Sequence, residues 1–266
     1  MSVAVMGTGK LGELVLAGLL RSGRPVDQVL ATARRPERAA ELAERYGIRP
    51  VSNESAAAQA DVLVVGVKPQ DAGKLLDEVR GQVTAAKLVV SLCAGLPTSF
   101  FAERLPDVPV VRVMTNTPAL VDQAMSVLSP GAHATEEHMA TAEQLFQPIG
   151  RTLRVPEYQQ DAVTALSGSG PAYLYLVVEA MVEAGVLLGL PRTVAHDLAV
   201  QTAVGSAVML RDSGEHPALL RESVTSPGGT TAAALRELEA GGVRTAFLNA
   251  LEAARDRARS IAASTK

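Results

Sequence analysis

The chain has 266 residues, 47% hydrophobic and 20% charged, with a net charge of −3 and an isoelectric point near 5.9. That length favours two domains over one core, and an acidic balance without a basic stripe argues against nucleic acid as a partner. A single cysteine, Cys93, excludes an internal disulfide and fits a reducing, cytoplasmic setting, and the most apolar long run (174–190) is too short and too interrupted by Glu179 and Glu183 to suggest a membrane span.

In chain order, Val3 to Met6 reads as a strand, followed by Gly7-Thr8-Gly9-Lys10-Leu11-Gly12 and a helical run over 10–22. This places a GxGxxG between strand and helix. Gly7 permits the tight turn, Gly9 lets a pyrophosphate approach the backbone, and Gly12 lets helix and strand pack closely. Dinucleotide binding is the expectation; a plain strand-to-helix turn is the alternative. A second strand over 29–33 ends in Arg34 and Arg35, with no acid before Glu37. An acid there would bond a ribose 2′-hydroxyl, whereas two arginines either meet a 2′-phosphate or stay solvated. NADPH is therefore favoured, with NADH possible.

A helix over 36–46 follows, with Pro36 in its first turn. Runs 62–67, 88–92 and 108–114 are short and apolar, as strands covered on both faces should be. Strands over 124–128 and 152–155 and a helix over 135–147 complete a βαβα rhythm, which implies a parallel sheet with helices on both sides. Gly66, Val67, Lys68 and Pro69 end one strand, and Leu92, Cys93 and Ala94 end the next, at the carboxyl edge where ligands gather. Lys68 either assists the cofactor or covers the sheet edge, and the Cys93 thiol reads as buried filler.

From about Pro156 strand-like runs stop, and helical runs cover 159–166, 171–188, 192–211, 230–240 and 243–262. The expected domains are 1–156 and 157–266: an α/β fold with an N-terminal Rossmann-like doubly wound sheet, and a C-terminal all-helical dimerisation domain. The 171–188 run is apolar nearly all round, so its burial calls for a second subunit. Within the helical half, Ser226, Pro227, Gly228, Gly229, Thr230 and Thr231 form a small, hydroxyl-rich loop just ahead of a helix, a second anion cradle. The four histidines form no zinc-type pair and there is no CxxC or nucleophile elbow, so no metal is expected and the chemistry falls to the cofactor.

Three segments together resemble the pyrroline-5-carboxylate reductase family: Ala-Leu-Ser-Gly-Ser-Gly-Pro-Ala-Tyr at 165–173, Val-Thr-Ser-Pro-Gly-Gly-Thr-Thr at 224–231, and Val-Arg-Val-Met-Thr-Asn-Thr-Pro at 111–118. The resemblance runs along the whole chain. It implies reduction of 1-pyrroline-5-carboxylate to L-proline and a homodimer or a pentamer of dimers. It also implies cofactor contacts at Met6, Gly7, Thr8, Gly9, Lys10, Leu11, Arg34, Asn53, Gly66, Val67, Lys68, Pro69, Leu92, Cys93, Ala94 and Asn116. Substrate contacts would fall at Ser226, Gly228, Gly229, Thr230 and Thr231, with Thr231 beside the imine nitrogen as the catalytic candidate. The family commonly reads Met-Pro-Asn-Thr-Pro where this chain has Thr115 in place of the first proline, and it often has glycine near Asp122. A related imine or hydroxyacid reductase, or a non-catalytic NADPH-binding protein, would share the layout. Hydroxyacid enzymes of this plan need a lysine in the helical half, and 156–211 contains none.

Overall fold

The computed structural model describes residues 1–264; Thr265 and Lys266, at the end of the expected 157–266 domain, lie outside the described residues. Strand β1 (Val3–Met6), helix α1 (Lys10–Arg21), β2 (Val29–Thr32) and α2 (Pro36–Tyr46) follow the sequence reading closely. Next come α3 (Asn53–Gln59), β3 (Val62–Val65), α4 (Pro69–Val79), β4 (Leu88–Ser91), α5 (Thr98–Ala102) and β5 (Val110–Met114). Then β6 (Ala124–Pro130), α6 (Glu136–Phe146) and β7 (Gly150–Arg154) finish a seven-stranded sheet in the order β2-β1-β3-β4-β5-β6-β7.

One expectation about this sheet is corrected. It is not parallel throughout: β6 runs antiparallel to β5, with Met114 opposite Val127, while β6 and β7 are parallel to each other. The reversal follows from the short connection of 115–123, too short for a crossover helix. Pro109, which lacks an N–H, stays outside β5, and its carbonyl accepts from Val89 N at 2.9 Å.

Alternation along each strand builds two cores. Val3, Val5, Val62, Val64, Leu88 and Val90 face one side, under Leu14, Leu16 and Leu19 of α1 and Leu145 and Phe146 of α6. Ala4, Met6, Leu63, Val65 and Val89 face the other, under Ala56 and Ala57 of α3, Leu75 and Leu76 of α4 and Phe100 and Phe101 of α5. Helices therefore cover both faces, the doubly wound arrangement. Strand order reverses direction at β1, with β2 on one side and β3 on the other. This is the switch point outside which a crevice opens at the carboxyl ends.

The expected helix over 159–166 is shorter and interrupted. α7 (Gln160–Val163) passes into a π-helical turn, Thr164–Gly168. The chain then forms α8 (Gly170–Leu187), α9 (Arg192–Ser213), α10 (Pro217–Ser223), α11 (Thr230–Ala240) and α12 (Val243–Ser264). The described residues divide into two compact units, 1–169 together with the end of α12 from Ala253, and 170–252. Within the second unit α8 packs on α9 through Val182, Ala195 and Ala199. Gly185 permits that approach, since a Cβ there would lie 3.0 Å from the Ala195 Cβ. Most of the remaining apolar surface of the pair is bare: Leu174, Tyr175 and Leu176 are each 65% exposed and Leu187 88%. By length and composition alone the helical stretch Glu157–Leu187 would suffice to cross a membrane.

Two departures of this sequence have physical accounts. Asp122 adopts the left-handed region at φ 56°, which aspartate tolerates, and its carboxylate pairs with Arg21, which also donates to Ala119 O at 3.3 Å. Thr115 is buried, and its hydroxyl is hydrogen-bonded to the buried Ser126 hydroxyl at 2.9 Å.

Candidate functional site

The first site is built where β1 meets α1. Gly7 has φ +89°, and a Cβ there would overlap Val67. A Cβ at Gly12 would overlap the Gly7 carbonyl, and one at Gly66 would sit 3.0 Å from that same oxygen. Three glycines therefore let the ends of β1 and β3 and the start of α1 meet, and Gly66 N donates to Met6 O at 2.8 Å. Gly9 caps α1 without a side-chain bond, and the space where its Cβ would be is open. The first-turn amides of α1 are thus left for an anion.

The loop is braced from outside. Gly7 N donates to Thr32 Oγ1 at 3.2 Å, Thr8 Oγ1 to Thr32 O at 3.0 Å, and Arg38 Nε to Thr8 O at 3.1 Å. Arg38 is itself held by Glu41 and Glu13, and Glu13 also accepts from Arg45 at 2.8 Å and Tyr46 at 3.0 Å. Burial alone would raise the Glu13 pKa. The hydrogen bonds from Arg38 and Tyr46, with the charges of Arg38 and Arg45, outweigh it and hold the carboxyl below its usual range.

Outside the loop lies a cleft of about 860 Å³. Of the residues expected from the sequence it is lined by Gly7, Thr8, Gly9, Lys10, Arg34, Asn53, Gly66, Val67 and Lys68, with Arg35 beside them. Thr32, Glu13, Arg38, Asp71 and Glu78 also line it, and sequence reasoning missed them because their roles depend on contacts distant along the chain. Arg34 reaches Asp71 at 2.6 Å but is 71% exposed, so this pair is weak and the guanidinium is free to exchange partners. Asn53 donates to Glu78 at 3.0 Å. Open amides, a glycine-lined approach and arginines at the end of β2 fit a dinucleotide with a 2′-phosphate.

Other expected residues lie away from the cleft wall. Met6 is fully buried in the core, and Leu11, Gly12, Pro69, Leu92, Cys93, Ala94 and Asn116 are not among the lining residues. The Cys93 thiol donates to Val67 O at 3.4 Å, and burial pushes its pKa up to about 12, so it is neutral and inert. Asn116 is engaged elsewhere: its amide donates to Ser167 O at 3.1 Å and accepts from Met125 N at 3.1 Å.

The second loop lies between α10 and α11. Thr225 Oγ1 donates to Arg221 O at 2.6 Å, Gly229 N to Ser226 O at 3.0 Å, and Gly228 turns the chain at φ +70°. Gly229 caps α11 with no side-chain bond. Thr231 is half-buried at the helix start and, among the described residues, its hydroxyl makes no hydrogen bond. It is not spent as a helix cap. The loop offers amides, a helix N-terminus and, among the described residues, the three unbonded hydroxyls of Ser226, Thr230 and Thr231 to an anion.

A doubly wound domain with this cradle is the dinucleotide-binding half of an oxidoreductase, and residues 2–95 match the family model described as NADP oxidoreductase, coenzyme F420-dependent. Residues 157–261 match the model described as pyrroline-5-carboxylate reductase dimerisation. The pyrroline-5-carboxylate reductase of Corynebacterium melassecola is 43% identical, with 98% of each chain aligned. Among solved structures, the pyrroline-5-carboxylate reductase of Coxiella burnetii is 33% identical with a TM-score of 0.91, and the Plasmodium falciparum enzyme with NADP bound is 28% identical with a TM-score of 0.89. Both alignments cover 98% of each chain. The chain belongs to the pyrroline-5-carboxylate reductase family.

Proposed function

We propose that this protein reduces 1-pyrroline-5-carboxylate to L-proline with NADPH, the last step of proline biosynthesis. The observation that carries this reading is the 226–231 loop: a glycine-turned anion cradle with an uncommitted threonine hydroxyl at its helix start. A small cyclic imine acid needs one carboxylate site and one partner for its ring nitrogen, and the loop supplies both types of group.

NADPH, when bound, supplies the hydride that the imine carbon accepts. The first-turn amides of α1 hold its pyrophosphate, and Arg34 with Arg35 holds the 2′-phosphate. Asn53, Gly66, Val67 and Lys68 frame the rest from the cleft wall, and Pro69, Leu92, Cys93 and Ala94 continue the sheet edge outside that wall. The amides after Pro227 and the Ser226 hydroxyl take the substrate carboxylate. Thr231 Oγ1 accepts the N–H of the protonated imine and keeps that proton on the ring nitrogen. An iminium is already electrophilic, so no separate general acid is required, and the product amine retains the same proton.

The helical region 157–266 serves as the dimerisation and substrate domain, and its bare apolar faces on α8 and α9 are the surface that a second subunit covers. A cytoplasmic homodimer, or a pentamer of dimers, fits this better than membrane insertion of 157–187, which would bury Glu179 and Glu183 in lipid. The test is NADPH oxidation driven by pyrroline-5-carboxylate with proline as product. NADPH binding without turnover would instead mark a non-catalytic binder. Sedimentation showing an active monomer at micromolar concentration would overturn the assembly.

A further inference from the structure

The π-helical turn at Thr164–Gly168 lies against the end of β5. A Cβ at Gly168 would stand 3.2 Å from Met114 Sδ, and Ser169 N donates back to Thr164 O at 2.9 Å, the wide spacing of a π turn. In a regular helix the Ser167 carbonyl would accept from the N–H of residue 171. That residue is Pro171, which has none. The missing donor comes from across the fold: Asn116 Nδ2 donates to Ser167 O at 3.1 Å. Asn116 is fixed in turn, because its Oδ1 accepts from Met125 N at 3.1 Å and its neighbour Thr115 is bonded to Ser126 at 2.9 Å. The end of β5 is therefore tied to β6 on one side and to the π turn on the other. β5 is parallel to β4, so this junction shares the carboxyl edge of the sheet with Leu92, Cys93 and Ala94.

We propose that Asn116 is a positioning residue, not a cofactor contact: its amide replaces the N–H that Pro171 lacks and fixes the π turn at the carboxyl edge of the sheet. The phosphate cradle stands three strands away at β1. Loss of the Asn116 amide should therefore disturb the placement of the reacting groups and leave cofactor affinity alone. The kinetic part of this inference rests on the function proposed above.

The experiment compares Asn116→Ala, Pro171→Ala and the double variant. Asn116→Ala should lower kcat roughly tenfold or more by misplacement, with the NADPH dissociation constant from fluorescence unchanged. Pro171→Ala returns a backbone donor to Ser167 O, so the double variant should recover much of the lost kcat. Hydrogen exchange of the amides of 164–169 should rise in Asn116→Ala and fall again in the double variant. A parallel loss of NADPH affinity would overturn the proposal, as would unchanged kcat or a loss that Pro171→Ala does not relieve. If Asn116→Ala does not fold, Asn116→Asp keeps the size and the acceptor for Met125 N but cannot donate; full activity in that variant would overturn the idea equally. If the wild-type protein does not reduce pyrroline-5-carboxylate, the assigned substrate fails, and the hydrogen-exchange pattern still decides the role of Asn116.

Discussion

The two glycine-rich cradles of this chain are made differently. Around Gly7 every neighbour is fixed: Gly12 and Gly66 crowd one carbonyl, Thr32 and Arg38 brace the turn, and Glu13 anchors Arg38. Around Gly228 the backbone turns on itself, and Ser226, Gly228 and Thr230 stay exposed. A tight, pre-organised cradle suits a cofactor that binds the same way in every turnover. An open one with unspent hydroxyls suits a substrate whose charge distribution changes during reaction, because only a group not already bonded can respond to that change.

Four substitutions test this contrast. The largest effect is expected at Gly229→Val. A Cβ there overlaps Ser226 Oγ and approaches Ser226 O at 3.1 Å, so the hydroxyl must leave its place and the cradle is crowded. The Michaelis constant for pyrroline-5-carboxylate should rise roughly a hundredfold, with NADPH binding unchanged in fluorescence titration. Thr231→Ala comes next. Losing its proposed hydrogen bond to the charged ring nitrogen costs about 1–3 kcal/mol, or roughly one to two decades in kcat/KM. Full catalytic efficiency in that variant would remove Thr231 from the reaction.

Arg34→Asp addresses the other cradle. In the proposed binding mode it removes a charge-assisted bond to the 2′-phosphate and should raise the NADPH Michaelis constant about tenfold while changing that for NADH little. Equal changes would mean that Arg34 serves only Asp71. The smallest effect belongs to Glu13→Gln, read as stability. The folded carboxyl titrates below its unfolded value of about 4.3, so its contribution is complete above that pH and is lost as pH falls through the folded pKa. The variant should be less stable by about 1 kcal/mol at neutral pH and should show a shallower acid limb in denaturant titrations. An unchanged limb would show that the brace is not electrostatic.

The tight cradle was far more legible in the sequence than its surroundings. GxGxxG and the bounds of β1, α2 and α11 follow from glycine spacing, a proline at a first helical turn and apolar period, all local properties. The π turn was not legible, because Ser167 and Gly168 read as the plain end of a helix over 159–166, and the distortion depends on Pro171 downstream and Asn116 across the fold. The antiparallel course of β6 was hidden because strand direction leaves no mark on a short apolar run. Arg112 shows the same limit. Nothing local marks a partner for this charge inside β5, yet it is buried and lies 3.6 Å from Glu157 and 3.7 Å from Asp161, residues nearly fifty positions away. In the open loop, the residues that could hold an anion were plain from composition, but only the structure shows that Thr231 is not occupied as a cap.

The bare surface of α8 and α9 has a consequence for how this protein is measured. A fold that leaves Leu174, Leu176 and Leu187 so open in one chain gains much of its free energy from association, so unfolding obeys mass action. Its melting temperature then belongs to a protein concentration as much as to a sequence. Diluting the sample would lower it with no residue changed, and a variant judged unstable in a dilute assay would pass as sound in a concentrated one.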